Sequence, residues 1–379
     1  MIDNLKNARK NKLKTTILSL QDTAQYYDMI VFCHLRWQFV YQRPQHIISR
    51  MAKTMKTLFI EEPLYDNANK NSGNLIVVDS MLHVLQPNVK DIESIAGIIP
   101  DYVRNKNIPF GWFYSASFSP LLEQLNFETV VYDCMDELSL FKGAPAHLIN
   151  QEKYLMAQAE IIFTGGKSLY ESKKVHHNNV HCFPSSVDEA HFAKAMNGIA
   201  IPDDMACIPS PIVGYFGVID ERIDLALLHQ AALNLPNISF VMIGPLAKIE
   251  ETDLPKESNI HYFGMKSYEN LPHYLKAFDI AMMPFALNDA TKFISPTKTL
   301  EYMAAGKPII STKIIDIVRD YSHCVSLIET ADEFCEAITF LLDKTDRMSL
   351  EMEYHKILKK TSWDATANKM KSIIKTFAK

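Results

Sequence analysis

Short apolar segments recur along the chain, and most are followed by a segment whose apolar residues are spaced as in a helix. The first apolar segment is Met29–Cys33, and residues 45–56 then carry isoleucine and methionine at helical spacing. Comparable segments predict further strands at 57–60, 75–79, 82–86, 108–114, 129–132, 161–164, 212–216, 239–243, 260–263, 280–283, 308–310 and 324–328. This alternation predicts an α/β fold with doubly wound parallel sheets covered by helices on both faces.

The alternation is interrupted once, at residues 193–211. This segment contains Asn-Gly, Pro-Asp-Asp and Pro-Ser-Pro, which are typical of turns and linkers. A chain of 379 residues also suits two domains better than one. We therefore predict four parts: a basic N-terminal extension at 1–28, Rossmann-like domains at 29–195 and 210–360, and a final crossover helix at 361–379. Ligands of such domains bind beyond the carboxyl ends of the strands, so we expect a site in the cleft between them.

Composition narrows the class of protein. Apolar residues make up 47% of the chain and charged residues 22%, as in soluble globular proteins, and the net charge of −5 argues against a nucleic-acid partner. Because no segment of about 18 apolar residues and no signal-peptide pattern occur, we expect a cytoplasmic protein. The basic segment 1–20 could form an amphipathic helix at the inner membrane surface, or a solvated extension. The six cysteines are scattered, and no metal site is expected.

The segment with the clearest chemical content is 282–312, MMPFALNDATKFISPTKTLEYMAAGKPIIST. We predict a helix that starts with Ser295 as N-cap and Pro296 as first residue, because both residue types favour those positions. Free N–H groups and the helix dipole there would attract an anion. Lys298 in the first turn opposes the dipole unless a phosphate lies beside it, and Glu301 could reach a ribose diol. An ordinary surface helix remains the alternative from these residues alone.

This segment resembles the donor-site signature of GT-B glycosyltransferases, in particular family 4, the group 1 transferases. Further segments match the family pattern in the same order: 183–188 (FPSSVD) with His191-Phe192, 213–217 (VGYFG), 259–264 (NIHYFG) and 362–364 (SWD). Each segment is a weak signal alone. Together they cover the chain from about residue 29 to its end and favour the family strongly.

The resemblance implies a sugar-nucleotide-dependent glycosyltransferase of GT-B fold, with a UDP-sugar as the commonest donor and a GDP-sugar next. It also implies a glycan or lipid-linked acceptor in cell-surface polysaccharide synthesis. By position, the resemblance implies that Glu301 binds the donor ribose and that Ser295, Thr297 and Lys298 surround the pyrophosphate. Gly217 would form the glycine turn, and Arg222 would supply the cation for the leaving diphosphate. Met265 and Tyr268 would belong to the loop that packs on the base.

The sequence departs from the family pattern at two places. The first glutamate of the family's E-x7-E motif is replaced by Phe293, so we expect that its contact with the sugar hydroxyls is missing or is supplied by another acid such as Asp289. The usual Gly-Gly turn after the first strand is replaced by 34–46, HLRWQFVYQRPQH, which resembles a subgroup of bacterial cell-surface polysaccharide transferases of the teichuronic-acid type.

Charged and aromatic residues of this N-terminal segment are candidates for the acceptor side of the cleft. They are His34, Arg36, Arg43 and His46, although a capped helix start would also explain Arg43 and His46. Asp133 and Asp136 follow another strand and are candidates for a general base, or for plain helix capping in the case of Asp136. The glycines of 164–168, TGGKS, do not form a complete phosphate-loop motif, so we predict a strand-to-helix turn that faces the cleft.

Glycosyl transfer develops negative charge on the leaving diphosphate. We expect Arg222, Lys298 and the N–H groups near Thr297 to stabilise it, without a cofactor or an obligatory metal ion. Two alternatives remain from the sequence: a sugar-nucleotide epimerase on the same fold, and a non-catalytic GT-B-like binding protein.

Overall fold

The computed structural model describes residues 24–65, 71–344 and 346–377. The basic amphipathic segment predicted at residues 1–20 lies outside the described residues.

The first sheet has eight strands and uses residues 29–182. They are β1 (Met29–Cys33), β2 (Thr57–Glu61), β3 (Ser72–Val77), β4 (Leu82–Asn88), β5 (Asn107–Phe113), β6 (Asn126–Cys134), β7 (Ile161–Thr164) and β8 (Val180–Cys182). Their order is β3-β4-β2-β1-β5-β6-β7-β8, and all neighbours are parallel except the edge pair β3 and β4. The strand order reverses between β1 and β5, which are paired. A crevice at the carboxyl ends of these two strands is therefore expected.

The second sheet has six parallel strands and uses residues 212–328. They are β9 (Ile212–Phe216), β10 (Ser239–Ile243), β11 (Ile260–Tyr262), β12 (Ile280–Met283), β13 (Ile309–Thr312) and β14 (Ser326–Ile328). Their order is β11-β10-β9-β12-β13-β14, the 3-2-1-4-5-6 order of dinucleotide-binding domains. The predicted α/β fold with parallel sheets is confirmed.

Twelve α-helices lie within the described residues. They are α1 (Arg43–Met51), α2 (Leu148–Gln158), α3 (Lys167–Lys173), α4 (Glu189–Phe192), α5 (Asp203–Ala206), α6 (Leu225–Asn234), α7 (Leu271–Lys276), α8 (Lys298–Ala304), α9 (Ile315–Tyr321), α10 (Ala331–Lys344), α11 (Arg347–Leu358) and α12 (Trp363–Lys375). Between β5 and β6 the chain forms a 3₁₀ helix, Ala116–Glu123, with Pro120 inside it. A proline there cannot donate the hydrogen bond that an α-helix requires.

Strand β1 shows why the central strands are continuous apolar runs. Met29, Val31 and Cys33 pack into the apolar cluster on one face of the sheet, whereas Ile30 and Phe32 pack into the cluster on the other face. Successive side chains of a strand point to opposite faces, so a strand covered on both sides must be apolar at every position.

The last helix, α12, packs on α1 of the first sheet's layer. Trp363, Met370 and Ile374 of α12 are buried in the same cluster as Ile47 and Met51 of α1. Arg50 of α1 also pairs with Asp364 at 3.0 Å. We call the part of the protein that contains the first sheet the N-terminal half, and the part that contains the second sheet the C-terminal half. The chain therefore returns to the N-terminal half after completing the second sheet.

A second contact between the halves involves the start of α3. The buried carboxylate of Asp316 on α9 accepts hydrogen bonds from the backbone N–H groups of Lys167 (2.9 Å) and Ser168 (3.0 Å). A Cβ at Gly166 would lie 2.9 Å from the Ser295 Cβ, so glycine is needed where the two halves meet. The TGGKS turn thus binds a carboxylate of the protein itself.

None of the helices within the described residues has the length and apolar character needed to cross a lipid bilayer.

Candidate functional site

A cleft of about 1170 Å³, its open mouth included, lies between the two sheets. The N-terminal half contributes the loop after β1, the loop after β6 and Gly165 after β7. The C-terminal half contributes the turns after β9 and β10, Met265, and the residues that lead into α8. The carboxyl ends of strands from both sheets therefore face each other, as expected for paired doubly wound domains.

The turn after β9 brings backbone against a lysine side chain. Gly217 has a φ of +144°, and a Cβ there would lie 2.6 Å from Lys298 Nζ and 2.8 Å from the Tyr215 hydroxyl, and closer still to Lys298 Cε. Gly244 has a φ of +153°, and a Cβ there would overlap the Gly217 carbonyl. Both glycines are therefore required to bring the backbone of the β9 turn beside the Lys298 ammonium.

Arg222 is the second cation on this wall of the cleft, and its guanidinium is held in place. Asp220 accepts from its Nε at 3.0 Å and from its Nη2 at 2.7 Å. The guanidinium also lies over the Phe141 ring, 5.4 Å from the ring centre. The head group is thus fixed from both sides, although Asp220 offsets part of its charge.

Asp136 lies on the opposite wall, after β6. Burial raises its pKa to about 6, while the positive charge of Arg222 acts in the other direction. A carboxyl group with this pKa can exchange a proton near neutral pH.

The segment that holds Asp136 is fixed from below by a buried lysine. Lys173 of α3 lies 2.7 Å from both the Glu137 and the Glu152 carboxylates. Glu137 is the immediate neighbour of Asp136 in the sequence. The ion-pair triad therefore anchors the loop that carries Asp136.

Glu301 of α8 lies deep in the cleft and is only 6% exposed. Burial raises its pKa to about 7, and the Lys298 ammonium opposes that rise. Burial likewise lowers the pKa of Lys298. The Glu301 carboxylate makes no hydrogen bond with any residue in the described part of the chain.

The start of α8 differs from the sequence-based prediction. The helix begins at Lys298 with Thr297 in the N-cap position, so Ser295 is not the N-cap and Pro296 is not the first helical residue. Both residues still line the cleft. Ser185 of the N-terminal half donates to the Ser295 carbonyl at 2.9 Å, and Thr297 donates to the Ser185 hydroxyl at 3.0 Å. These bonds fix the segment outside the helix.

Asp133 and Arg43 form one unit, although they are 90 residues apart. Asp133 is fully buried and accepts from Arg43 Nη2 at 2.8 Å, and Arg43 Nη1 donates to the Phe183 carbonyl at 2.7 Å. Arg43 lines the cleft but Asp133 does not. The structure therefore does not bring Asp133 into reach of a substrate, and it orients Arg43 instead.

His34 and Arg36 do not line the cleft either. Arg36 is paired with Glu61 at 3.0 Å and donates to the Glu62 carbonyl at 2.6 Å. Burial lowers the pKa of His34 to about 4, which keeps its imidazole neutral at physiological pH. The contacts of Arg36 with Glu61 and Glu62 fix the end of β2.

His46 lines the cleft and belongs to a cluster of aromatic rings between the two halves. Its ring is stacked on Trp363 with centres 4.7 Å apart and lies edge-on to Tyr41 at 4.6 Å. Tyr268 lies in the same cluster and stacks on His191 at 4.4 Å. Of the loop predicted to pack on the base, Met265 lines the cleft, whereas Tyr268 packs behind the wall.

The two departures from the family pattern have a structural explanation in one case. Phe293 packs against the apolar cluster of the N-terminal half, so the position of the missing glutamate serves a contact between the halves. Asp289 is exposed and does not line the cleft, which makes it a poor replacement for that glutamate.

Several residues shape the site through contacts that are not apparent from sequence patterns. They are Asp220, which holds Arg222; Lys173, which anchors the Asp136 loop; Ser185, which fixes the residues before α8; and Trp363, which supports His46. Only Asp220 had a local signal, because an acid two residues before an arginine can pair with it.

Comparison with known proteins gives two kinds of similarity. Residues 210–344 match the sequence model of the family described as Glycosyl transferases group 1. The chain is 24% identical to the "Putative teichuronic acid biosynthesis glycosyltransferase TuaH" of Bacillus subtilis (strain 168) over 54% of this chain and 55% of that protein. The chain thus matches only about half the length of this curated relative.

Solved structures show the same fold over nearly the whole chain. A sucrose-phosphate synthase from Thermosynechococcus elongatus superposes with a TM-score of 0.66 at 14% identity, covering 92% of this chain and 98% of the other. A UDP-forming trehalose-phosphate synthase from Burkholderia xenovorans in complex with glucose-6-phosphate superposes with a TM-score of 0.69 at 10% identity, covering 91% of this chain and 99% of the other. Residues 210–344 are therefore similar to the group 1 glycosyltransferases, and the chain has the GT-B fold.

Proposed function

We propose that this protein transfers a sugar from a nucleotide-sugar donor, a UDP-sugar, to a glycan or lipid-linked acceptor in cell-surface polysaccharide synthesis. The observation that carries the proposal is the Lys298 ammonium held against the Gly217 turn, with Arg222 on the same wall of a cleft between two domains. The similarity to a protein named for teichuronic acid biosynthesis supports the acceptor class. UDP is supported by relatives of the same fold that are UDP-forming.

The two cations suit the charge that develops during transfer. When the bond between the sugar and the diphosphate breaks, negative charge accumulates on the leaving diphosphate. Lys298 and Arg222 are positioned before the reaction, so stabilising this charge needs little reorganisation. The chemistry proposed here uses these cations in place of a metal ion, and activity should therefore persist in EDTA. A loss of activity that Mg²⁺ restores would contradict this part of the proposal.

Asp136 is proposed as the group that receives the proton of the acceptor hydroxyl. It faces the cations across the cleft, and its raised pKa of about 6 leaves it mostly ionised at pH 7 and able to accept a proton. Asp133 is not proposed for this role because it is paired with Arg43 outside the cleft. The Asp136→Asn variant should bind the donor normally but transfer slowly.

A screen of nucleotide sugars by thermal unfolding tests the proposal. A donor present at about 100 times its Kd should stabilise the protein by about 2.7 kcal/mol, which raises its unfolding temperature by several degrees. The best ligand is then incubated with and without acceptor glycans. Release of nucleoside diphosphate that depends on the acceptor supports transfer. An isomerised sugar nucleotide formed without acceptor would instead support an epimerase, and no stabilisation by any ligand would support a non-catalytic protein.

We also propose that the basic segment 1–20 brings the protein to the anionic inner membrane surface, where lipid-linked acceptors lie. Sedimentation with vesicles containing anionic lipid should carry down the full chain but not a variant lacking residues 2–20. Equal sedimentation of the two proteins would refute this part of the proposal.

A further inference from the structure

We infer that His46 brings the N-terminal half into donor recognition, through a hydrogen bond between its Nε2 and a hydroxyl group of the donor's ribose. The inference rests on the proposed function because it assumes that a nucleotide sugar occupies the cleft. It assigns to His46 a contact with the nucleoside, on the donor side of the cleft.

The first observation is that His46, which lines the cleft, has a buried nitrogen without a partner among the described residues. His46 is 1% exposed and lines the cleft, yet its Nε2 has no hydrogen-bond partner among the residues that the structure describes. Buried polar atoms in native proteins are nearly always bonded, so such an atom at the wall of a binding cleft points to a ligand.

The second observation is that aromatic side chains hold the plane of the His46 ring. One face is stacked on Trp363 at an interplanar angle of 9°, and Tyr41 and Tyr268 lie edge-on at 4.6 and 5.4 Å. Trp363 comes from the crossover helix α12. The orientation of Nε2 is therefore set by residues from both ends of the chain.

The other ring nitrogen identifies the chemical class of the partner. His46 Nδ1 lies 3.5 Å from the carboxylate of Asp188, to which it can donate, and 3.5 Å from Arg50 Nη1, from which it can accept. The first arrangement leaves Nε2 as an acceptor and the second leaves it as a donor. A hydroxyl group can donate or accept, so it matches Nε2 in either tautomer.

The neighbours of His46 favour a ribose as the source of this hydroxyl. Glu301 lines the same cleft and has an unbonded carboxylate, and the buried Tyr268 hydroxyl also has no partner in the described part of the chain. His46 of α1 and Glu301 of α8 line this cleft from its two sides. The vicinal diol of a ribose could offer one hydroxyl group to His46 and the other to Glu301.

An acceptor sugar could also supply a hydroxyl, and binding experiments without acceptor separate the two sources. Calorimetric titrations of the full chain would use UDP, 2′-deoxy-UDP and 3′-deoxy-UDP, with the guanosine series in parallel. The key variant is His46→Phe, which keeps the stacking on Trp363 but removes the nitrogens. His191→Phe is the matched control, because His191 stacks in the same aromatic cluster but its Nε2 is bonded to the Tyr268 carbonyl at 3.0 Å.

Wild-type protein should bind the ribonucleotide more tightly than at least one deoxy analogue. His46→Phe should weaken ribonucleotide binding by about 3- to 10-fold, the effect of one lost neutral hydrogen bond, and leave binding of that deoxy analogue unchanged. His191→Phe should keep the wild-type preference. An undiminished preference in His46→Phe overturns the inference and leaves the proposed function intact, whereas failure of wild-type protein to bind any nucleoside diphosphate overturns the proposed function itself.

A second variant covers the case in which His46→Phe does not fold. In Glu301→Ala the ribose loses its contact with the C-terminal half, so His46 alone should maintain a residual preference for the ribonucleotide of about 3-fold or more. Equal affinities of Glu301→Ala for ribo- and deoxynucleotides would overturn the inference.

Discussion

Replacing Gly217 by alanine tests whether the β9 turn must lie against Lys298. The new methyl group would lie 2.6 Å from Lys298 Nζ and 2.8 Å from the Tyr215 hydroxyl, so the lysine side chain has to move. The φ of +144° adds backbone strain of about 1–3 kcal/mol for a residue with a Cβ. If displaced Lys298 no longer stabilises the leaving diphosphate, kcat/KM should fall about 10²- to 10³-fold, which corresponds to about 2.7–4 kcal/mol.

The matched control is Gly143→Ala. Gly143 also has a positive φ, +76°, but a Cβ there would meet no atom of the described residues within 4 Å. The Gly143→Ala variant therefore introduces backbone strain without displacing a neighbouring side chain. Both variants should lose a few degrees of thermal stability. The assay is release of nucleoside diphosphate from the donor, with thermal unfolding measured in parallel. Near-wild-type kcat/KM in Gly217→Ala, with the protein folded, would refute the assignment of the phosphate site to this turn.

Three further predictions concern stability. Lys173→Met removes a buried cation from two partly buried carboxylates and should cost about 3–5 kcal/mol in urea unfolding, whereas the exposed neighbour variant Lys174→Met should change stability by less than about 0.5 kcal/mol. Burial raises the pKa of Glu301 from 4.5 to about 7, so the native state holds this proton more tightly than the unfolded state and stability falls as pH rises through that window. Between pH 5 and pH 8 the Glu301→Gln variant should lose about 2.5 kcal/mol less stability to urea than the wild type, and equal pH dependences of the two proteins would contradict the raised pKa. Trp363→Ala should cost about 3–5 kcal/mol, and a much smaller loss would show that α12 does not hold the two halves together.

The central strands could be predicted from the sequence almost residue by residue. Ile212–Phe216, Ser239–Ile243 and Ile280–Met283 are buried at every position, so each is a continuous apolar run with sharp ends. Strand β8, Val180–Cys182, could not be predicted this way. It lies at the edge of its sheet, is only half-buried and contains a histidine, so it gives no apolar signal.

The linker prediction at 193–211 also reflects what local composition can and cannot show. The segment does lie between the two sheets, but it contains a 3₁₀ turn, Ala193–Met196, and the short helix α5. Met205 of α5 is buried in the core of the C-terminal half. Turn residues indicate where chain direction changes, but they do not show whether one apolar residue among them finds a core.

For the site, the sequence indicated the residues whose roles follow from a local motif. Gly217, Lys298 and Glu301 lie together in the cleft as their match to the family pattern implied, although their chemical roles stay predictions. The positions of the other candidate site residues depend on contacts between residues that are far apart in the sequence. The pairing of Asp133 with Arg43 removes that acid from the cleft, and no pattern within either segment reveals it.

The same limit applies to His46. Its neighbour Trp363 comes from the far end of the chain, and its Nδ1 partner Asp188 comes from the residues after β8. Proximity of these three segments follows from the crossover of α12 and not from any spacing in the sequence. The lack of a partner for Nε2 within residues 24–65, 71–344 and 346–377 therefore emerges only from the folded protein.

The most direct test of the central claim is a calorimetric titration of nucleoside diphosphates into wild-type protein and the Lys298→Met variant, with Lys292→Met as a control. Lys292 is exposed on the loop before α8 and does not line the cleft. Wild-type protein and Lys292→Met should bind one equivalent of UDP or GDP with the same affinity. Lys298→Met should bind it at least about 10-fold more weakly, because a charge-assisted contact with the diphosphate is lost. Equal binding by all three proteins would contradict the account, as would no binding by the wild type.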